Sequence, residues 1–210
     1  NNYININLSI SPMERELKLS LFVATSLILI LLAFFFDSQI ISLIKDFSLP
    51  LINPLAIFFA AKSGLILFFI ITLLFLLIKK QNRTALLFAL TVVISTTFSY
   101  LIKYLIMRPR PFLTLSLTPL LIKTSPSFPS THATVAASSI LFLKNLNQKT
   151  KTLLYLLIAI TTISVFYTQI HYLSDILFGA FLGISISYLI LINKNRILKL
   201  VPKKLRIYLP

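Results

Sequence analysis

The sequence predicts an all-α, polytopic integral membrane protein with six transmembrane helices, and three observations carry that reading. Of 210 residues, 57% are hydrophobic and only 12% are charged, with a mean hydropathy of +0.92, a composition of the membrane class. Apolar runs recur along the whole chain and are interrupted by short polar or proline-bearing stretches. Lys and Arg outnumber Asp and Glu twenty to five and gather at the ends of the runs, where they set topology and meet anionic head groups. Nucleic acid is excluded as a partner, because a soluble nucleic-acid reader would not carry so many apolar runs. The absence of cysteine removes disulfides and thiolate metal sites. With three glycines in the chain, no Gly-rich phosphate loop is available, so an anion must be held by side chains and helix ends.

Residues 1–12 are expected to be a tag or an upstream extension: the first ten are polar and β-prone, and Met13 follows. Ser11-Pro12-Met13-Glu14 reads as a helix start, with Ser11 as N-cap, Pro12 at the first helical position and Glu14 closing a capping box. The helix runs through Arg15 and Lys18 into an apolar stretch ending near Phe36. That stretch is too long for a signal-peptide core and has no small-residue cleavage site before Asp37, so it reads as a retained membrane helix. Pro50, Pro54, Lys45 and Asp46 interrupt residues 37–62, which predicts an interfacial segment lying along the membrane. Further apolar runs cover 64–78, 84–107, 131–144, 152–170 and 173–192. The runs at 64–78 and 131–144 are short for a crossing of ~20 residues. The first is therefore expected to extend back toward Leu55, and the second to begin below the membrane surface. A six-helix domain over 13–192 is followed by a basic cytoplasmic tail, 193–210, broken by Pro202.

Six crossings place both termini on one side. Arg15 and Lys18, Lys79, Lys80 and Arg83, Lys144, Lys149 and Lys151, and the six tail cations from Lys194 to Arg206 lie there, fourteen of the twenty. The other side holds Lys45, Lys62, Lys103, Arg108, Arg110 and Lys123 with Asp37, Asp46 and Asp175. The positive-inside rule makes the termini cytoplasmic and turns the loop from Lys103 to His132 outward. His132 and His171, the only two histidines, fall on that outer face.

Three constellations stand on it. Lys103 and Arg110 are seven apart and approach one anion from a helix end and a loop, arginine through paired hydrogen bonds and lysine as a compact charge; as boundary cations they would equally snorkel to head groups. Pro129-Ser130-Thr131-His132 precedes an apolar run, with Ser130 as N-cap, free first-turn N–H groups as an anion site and His132 placed to move a proton; an ordinary cap beside an interfacial histidine reads as well. In the stretch from Ser164 to Asp175, His171 and Asp175 are four apart, so on a helix the carboxylate reaches one ring nitrogen and leaves the other nucleophilic. A helix-dipole role for Asp175 is the competing reading.

Lys-x6-Arg-Pro, Pro-Ser-Thr-His and Ser-x6-His-x3-Asp, in this order on one membrane face, resemble the three-part signature of the type-2 phosphatidic acid phosphatase and vanadium haloperoxidase superfamily, in its six-helix membrane lipid-phosphatase branch. The motifs span about 103–175. The resemblance implies a hydrolase, metal-independent and without a cofactor, that removes a terminal phosphate from a lipid phosphate or polyprenyl diphosphate, either phosphatidic-acid-phosphatase-like or undecaprenyl-diphosphatase-like. It makes His171 the nucleophile that forms a phosphohistidine, Asp175 its orienting partner and His132 the proton donor to the leaving group. Lys103, Arg110, Ser130 and the backbone near Thr131 would bind the phosphoryl oxygens. The implied partners are a lipid phosphate and the bilayer, with the site on the outer face of the cell membrane.

Two positions depart from the pattern: Thr131 where the family has glycine, and Val165 where it has a phosphate-binding arginine. Losing such a contact would cost ~2–4 kcal/mol in the transition state. Arg108, a charge from the neighbouring loop, and Gln169, one turn further on the same helix face as Val165, are the candidate compensating residues. A lipid phosphotransferase using the same site, and a degenerate phospholipid binder, are the alternatives, the second resting on Val165.

Overall fold

A computed structural model of the chain describes residues 11–45, 47 and 49–202. The expectations about residues 1–10, Asp46 and the tail cations beyond Pro202 lie outside these residues. All regular structure among them is helical. Helix α1 spans Pro12–Ile44. Ser11 Oγ accepts from the Glu14 N–H at 3.1 Å, as the sequence predicts. The Glu14 carboxylate pairs with Lys18 one turn on, at 2.7 Å. The helix does not stop near Phe36. It continues two turns past Asp37, because the buried carboxylate of Asp37 meets a guanidinium and a hydroxyl there and has no need of a helix end facing water. At about 1.5 Å per residue, its 33 residues make about 50 Å, longer than a ~30 Å hydrocarbon core.

The expected interfacial segment resolves into three parts: the last turns of α1, a short connection, and α2, Asn53–Ala60. Helix α3, Lys62–Ile78, follows at an angle of 72°. The predicted backward extension of this run therefore exists as a separate, bent helix. The elbow is at Ala61, whose extended backbone (φ −78°, ψ 169°) ends one helix and starts the next. Gly64 permits it, since a Cβ there would stand 2.4 Å from the Phe59 Cα. Helix α4, Asn82–Ile106, closes at Met107 in the left-handed conformation (φ 54°). Pro109 and Pro111 prevent resumption along the same axis, and α5 is a single turn, Pro111–Thr114.

Helix α6, Thr131–Ser138, is buried along its whole length and continues as a 3-10 turn, Ile140–Leu143. Helices α7, Gln148–Tyr167, and α8, Leu173–Ile192, complete the bundle, and α9, Lys194–Leu200, begins the tail. Four helices are long and apolar enough to cross a membrane, and five if the bent α2–α3 pair counts as one span. The Thr131–Leu143 segment is shorter than a crossing.

Helix α6 is the central post, packed against α4, α7 and α8. Between membrane helices there is little hydrophobic drive to associate, so close backbone approach over small residues does the work. At Gly183 an added Cβ would lie 2.1 Å from the Thr134 carbonyl oxygen, and at Gly179 2.6 Å from that of Ser130. Ser187 seals the same contact, donating to the Ser138 carbonyl at 2.6 Å. Gly183→Ala is expected to force α6 and α8 apart and cost about 1–3 kcal/mol of overpacking, read as a lower Tm in detergent; an unchanged Tm would refute the close-packed post.

Candidate active site

The three constellations meet through backbone and side-chain hydrogen bonds in every pairing. Lys103, in the last turn of α4, donates to the Pro129 carbonyl at 2.6 Å, joining the first to the second. Arg110 Nη1 donates to the Ile170 carbonyl at 2.5 Å, joining the first to the third. The Ser130 N–H donates to the Asp175 carbonyl at 3.0 Å, joining the second to the third. A continuous helix could not bring them together. The left-handed turn at Met107 and the loop from Leu115 to Ser130 fold back over the ends of α6 and α8.

His171 lies in the turn between α7 and α8, and Asp175 is the third residue of α8. The expected pair forms: His171 Nδ1 and Asp175 Oδ2 are 3.4 Å apart. Because a carboxylate only accepts, the proton of the pair belongs on Nδ1 and the lone pair on Nε2. Asp175 Oδ2 also accepts from the Ser127 hydroxyl and the Tyr172 N–H at 2.9 Å, and Oδ1 accepts from Arg108 at 2.7 Å. Burial pushes His171 down to about 3, against the upward pull of Asp175 and with the charges of Lys103 and Arg110 adding to the fall. The imidazole is therefore neutral at pH 7.

His132, on the first turn of α6, is capped by Ser130, whose hydroxyl accepts from the Ala133 N–H at 3.4 Å. His132 Nε2 lies 3.0 Å from the Ala61 carbonyl, so Nε2 carries a proton. Thr131 Oγ1 pairs with Ser99 Oγ at 2.8 Å. Next to His132, Lys123 donates to the Ala60 carbonyl at 2.7 Å. The α2–α3 elbow thus covers the two groups with consecutive carbonyls, and His132 and His171 are only 5% and 2% exposed. Burial, then the charges of Arg110 and Lys62, brings Lys123 down to about 8.

The expected phosphate ligands are engaged differently. Lys103 spends three hydrogen bonds on the carbonyls of Pro126, Ser127 and Pro129, and Arg110 binds the carbonyls of Ser125, Pro126 and Ile170. Here both cations hold the loop. Val165 is fully buried in an apolar cluster with Ala60, Ala133 and Ile170. Gln169 does not share its helix face, because α7 ends at Tyr167 and Gln169 has φ 55°; its amide donates to the Ile44 and Lys45 carbonyls. Arg108 reaches two carboxylates, Asp37 and Asp175. Sequence reasoning passed over Ser127, Lys123 and Asp37, which carry no helical spacing to the motifs. A lone acid in an apolar helix was the one available signal. Among the described residues no three His, Cys, Asp or Glu side chains come together as a metal site.

The family model of the PAP2 superfamily matches residues 84–198. Two crystal structures share the fold: the first transmembrane PAP2-type phosphatidylglycerolphosphate phosphatase from Bacillus subtilis, 22% identical, with a TM-score of 0.63 over 83% of this chain and 96% of that one, and Aquifex aeolicus LpxE, 23% identical, with 0.62 over 74% and 94%. No curated protein sequence matches the chain.

A buried neutral histidine makes stability pH-dependent with a definite sign. The folded value of His171, about 3, lies below the unfolded ~6.5. Its contribution is complete above the unfolded value and is lost as pH falls toward the folded one, where the unfolded chain binds the extra proton. The Tm of the parent is expected to fall more steeply than that of His171→Gln between pH 6.5 and 4. Parallel slopes would contradict the buried neutral ring.

Proposed function

Because the chain belongs to the PAP2 superfamily, we propose that it is a membrane-embedded lipid phosphatase, removing the terminal phosphate of a lipid phosphate or polyprenyl diphosphate. The observation that carries the reading is the His171–Asp175 pair with His132 and four cations, Lys103, Arg108, Arg110 and Lys123, gathered at one end of the bundle. His171 Nε2 attacks phosphorus while the bond to the lipid oxygen breaks. His132, carrying a proton on both ring nitrogens once the phosphate charge lies beside it, gives its Nε2 proton to that oxygen and becomes neutral, and the neutral ring then takes a proton from the water that splits the phosphohistidine, releasing phosphate. Asp175 holds the Nδ1 proton throughout, and stabilises the ring as it becomes positive.

Phosphoryl oxygens would take over donors now turned to the elbow carbonyls, chiefly Lys123 and His132. Lys123, bound to the carbonyl of Ala60 in the cluster that holds Val165, then supplies a cation that neither Arg108 nor Gln169 supplies. Lys103 and Arg110, by holding the loop of Ser125–Ser130, keep the first-turn N–H groups of α6 in place for the anion. Six crossings, with Thr131–Leu143 as a short one beginning below the surface, put the termini in the cytoplasm and the site on the outer face, in accord with the charge bias. A lipid tail in the bilayer would present its head group at that level.

Phosphate release from detergent-solubilised lipid phosphates and polyprenyl diphosphates, with EDTA present, tests the reading. The parent is expected to turn over, and His171→Ala to lose the activity. Asp175→Asn is expected to lose ~10³–10⁴-fold by offering the wrong tautomer. A folded parent that releases no phosphate from any of them favours the phospholipid binder, and label passing to a second lipid favours the phosphotransferase. Lys123→Met is expected to lower kcat/KM ~30–1000-fold, the worth of one charge-assisted contact to the transition state. A change below threefold would remove Lys123 from the phosphate site.

A further inference from the structure

Asp37 is the only charged residue between Leu19 and Ile44 of α1, and it is 2% exposed. A buried carboxylate persists only where it is paired and hydrogen-bonded. Its Oδ1 accepts the Ser174 N–H at 3.0 Å, one of the unpaired first-turn donors of α8. Its Oδ2 accepts from Arg108 Nη2 at 2.8 Å and from the Ser174 hydroxyl. The same guanidinium, through Nη1, donates to Ser174 Oγ and Asp175 Oδ1, both at 2.7 Å. Its faces are also held, 4.9 Å from the Phe34 ring centroid and 4.1 Å from that of Tyr172.

We propose that Asp37 is a positioning residue for the phosphoryl-transfer site, acting through Arg108 and Asp175 on His171. The proposal rests on the phosphatase reading for its catalytic consequence. One guanidinium is shared between two carboxylates. Asp37 offsets part of its charge, so Asp175 keeps negative charge for the Nδ1 proton of His171. With Asp37 neutral, Arg108 pairs with Asp175 alone. Asp175 then accepts the Nδ1 proton less strongly, and Nε2 becomes a weaker nucleophile. Substrate binding is expected to be unchanged, because Asp37 and Arg108 bond with each other, Ser174 and Asp175 and neither Lys123 nor His132 is among those partners. A helix anchor alone would explain the Ser174 contacts, but would give the Asp37 charge no effect on His171.

The test combines kinetics with histidine spectroscopy on the full-length protein in detergent micelles. The chain has only two histidines, so ¹⁵N-histidine labelling gives two ring systems, and His132→Gln identifies that of His171. In Asp37→Asn, which keeps the shape, kcat is expected to fall about tenfold with KM within twofold, and the downfield Nδ1 proton of His171 to move upfield. A folded Asp37→Asn protein with an unmoved His171 signal overturns the proposal, whatever its activity. Should that variant not fold, Arg108→Gln breaks the middle link and must move the same signal; no movement there is equally fatal. If the parent releases no phosphate yet the signal moves, the phosphatase reading fails while the link from Asp37 to His171 stands.

Discussion

The rest of the site depends on one buried carboxylate. Asp175 is inaccessible to solvent, and desolvating an unpaired carboxylate costs several kcal/mol. It is held by donors from four directions: the His171 ring, the Ser127 hydroxyl, the Tyr172 N–H and the Arg108 guanidinium. Each donor comes from a different stretch of chain or closes a helix start, so satisfying this charge also assembles the loop after α5, the turn after α7 and the end of α4. The carbonyl of the same residue receives the Ser130 N–H and brings in α6.

The cations divide into two kinds of work. Lys103 and Arg110 are nearly inaccessible and point at backbone carbonyls, whose partial charges compensate them as water would. They hold together a loop with three prolines between Thr118 and Ser130 and little helical structure of its own. Lys123 and His132 instead touch the carbonyls of Ala60 and Ala61 at the elbow of a bent helix pair, which the proposed function would have them exchange for phosphoryl oxygens. Under the proposed function, the charge facing the anion would come from a loop and leave the apolar contacts around Val165 intact.

The glycines bear on the same arrangement. Gly179 and Gly183 let α8 lie on the backbone of α6, and α6 carries His132 while α8 carries Asp175. The separation between His132 and Asp175 is thereby set by close backbone contact between their helices.

By itself the sequence determined the all-helical membrane class, the N-cap of α1, the ends of α4 and the meeting of His171 with Asp175, because these follow from composition, hydropathy and spacings within one or two helical turns. It misplaced the end of α1 because an acid after an apolar run ordinarily meets water, and only a partner 71 residues away, Arg108, makes it a buried one. It put Gln169 beside Val165 on the assumption of a continuous helix, which a left-handed residue ends. That Lys103 and Arg110 donate to loop carbonyls, that Lys123 reaches the Ala60 carbonyl and that Asp37 meets Arg108 come from tertiary structure alone. Charge in a low-dielectric interior takes whichever acceptor the fold brings within about 3 Å, and no local pattern records which stretch of chain that will be.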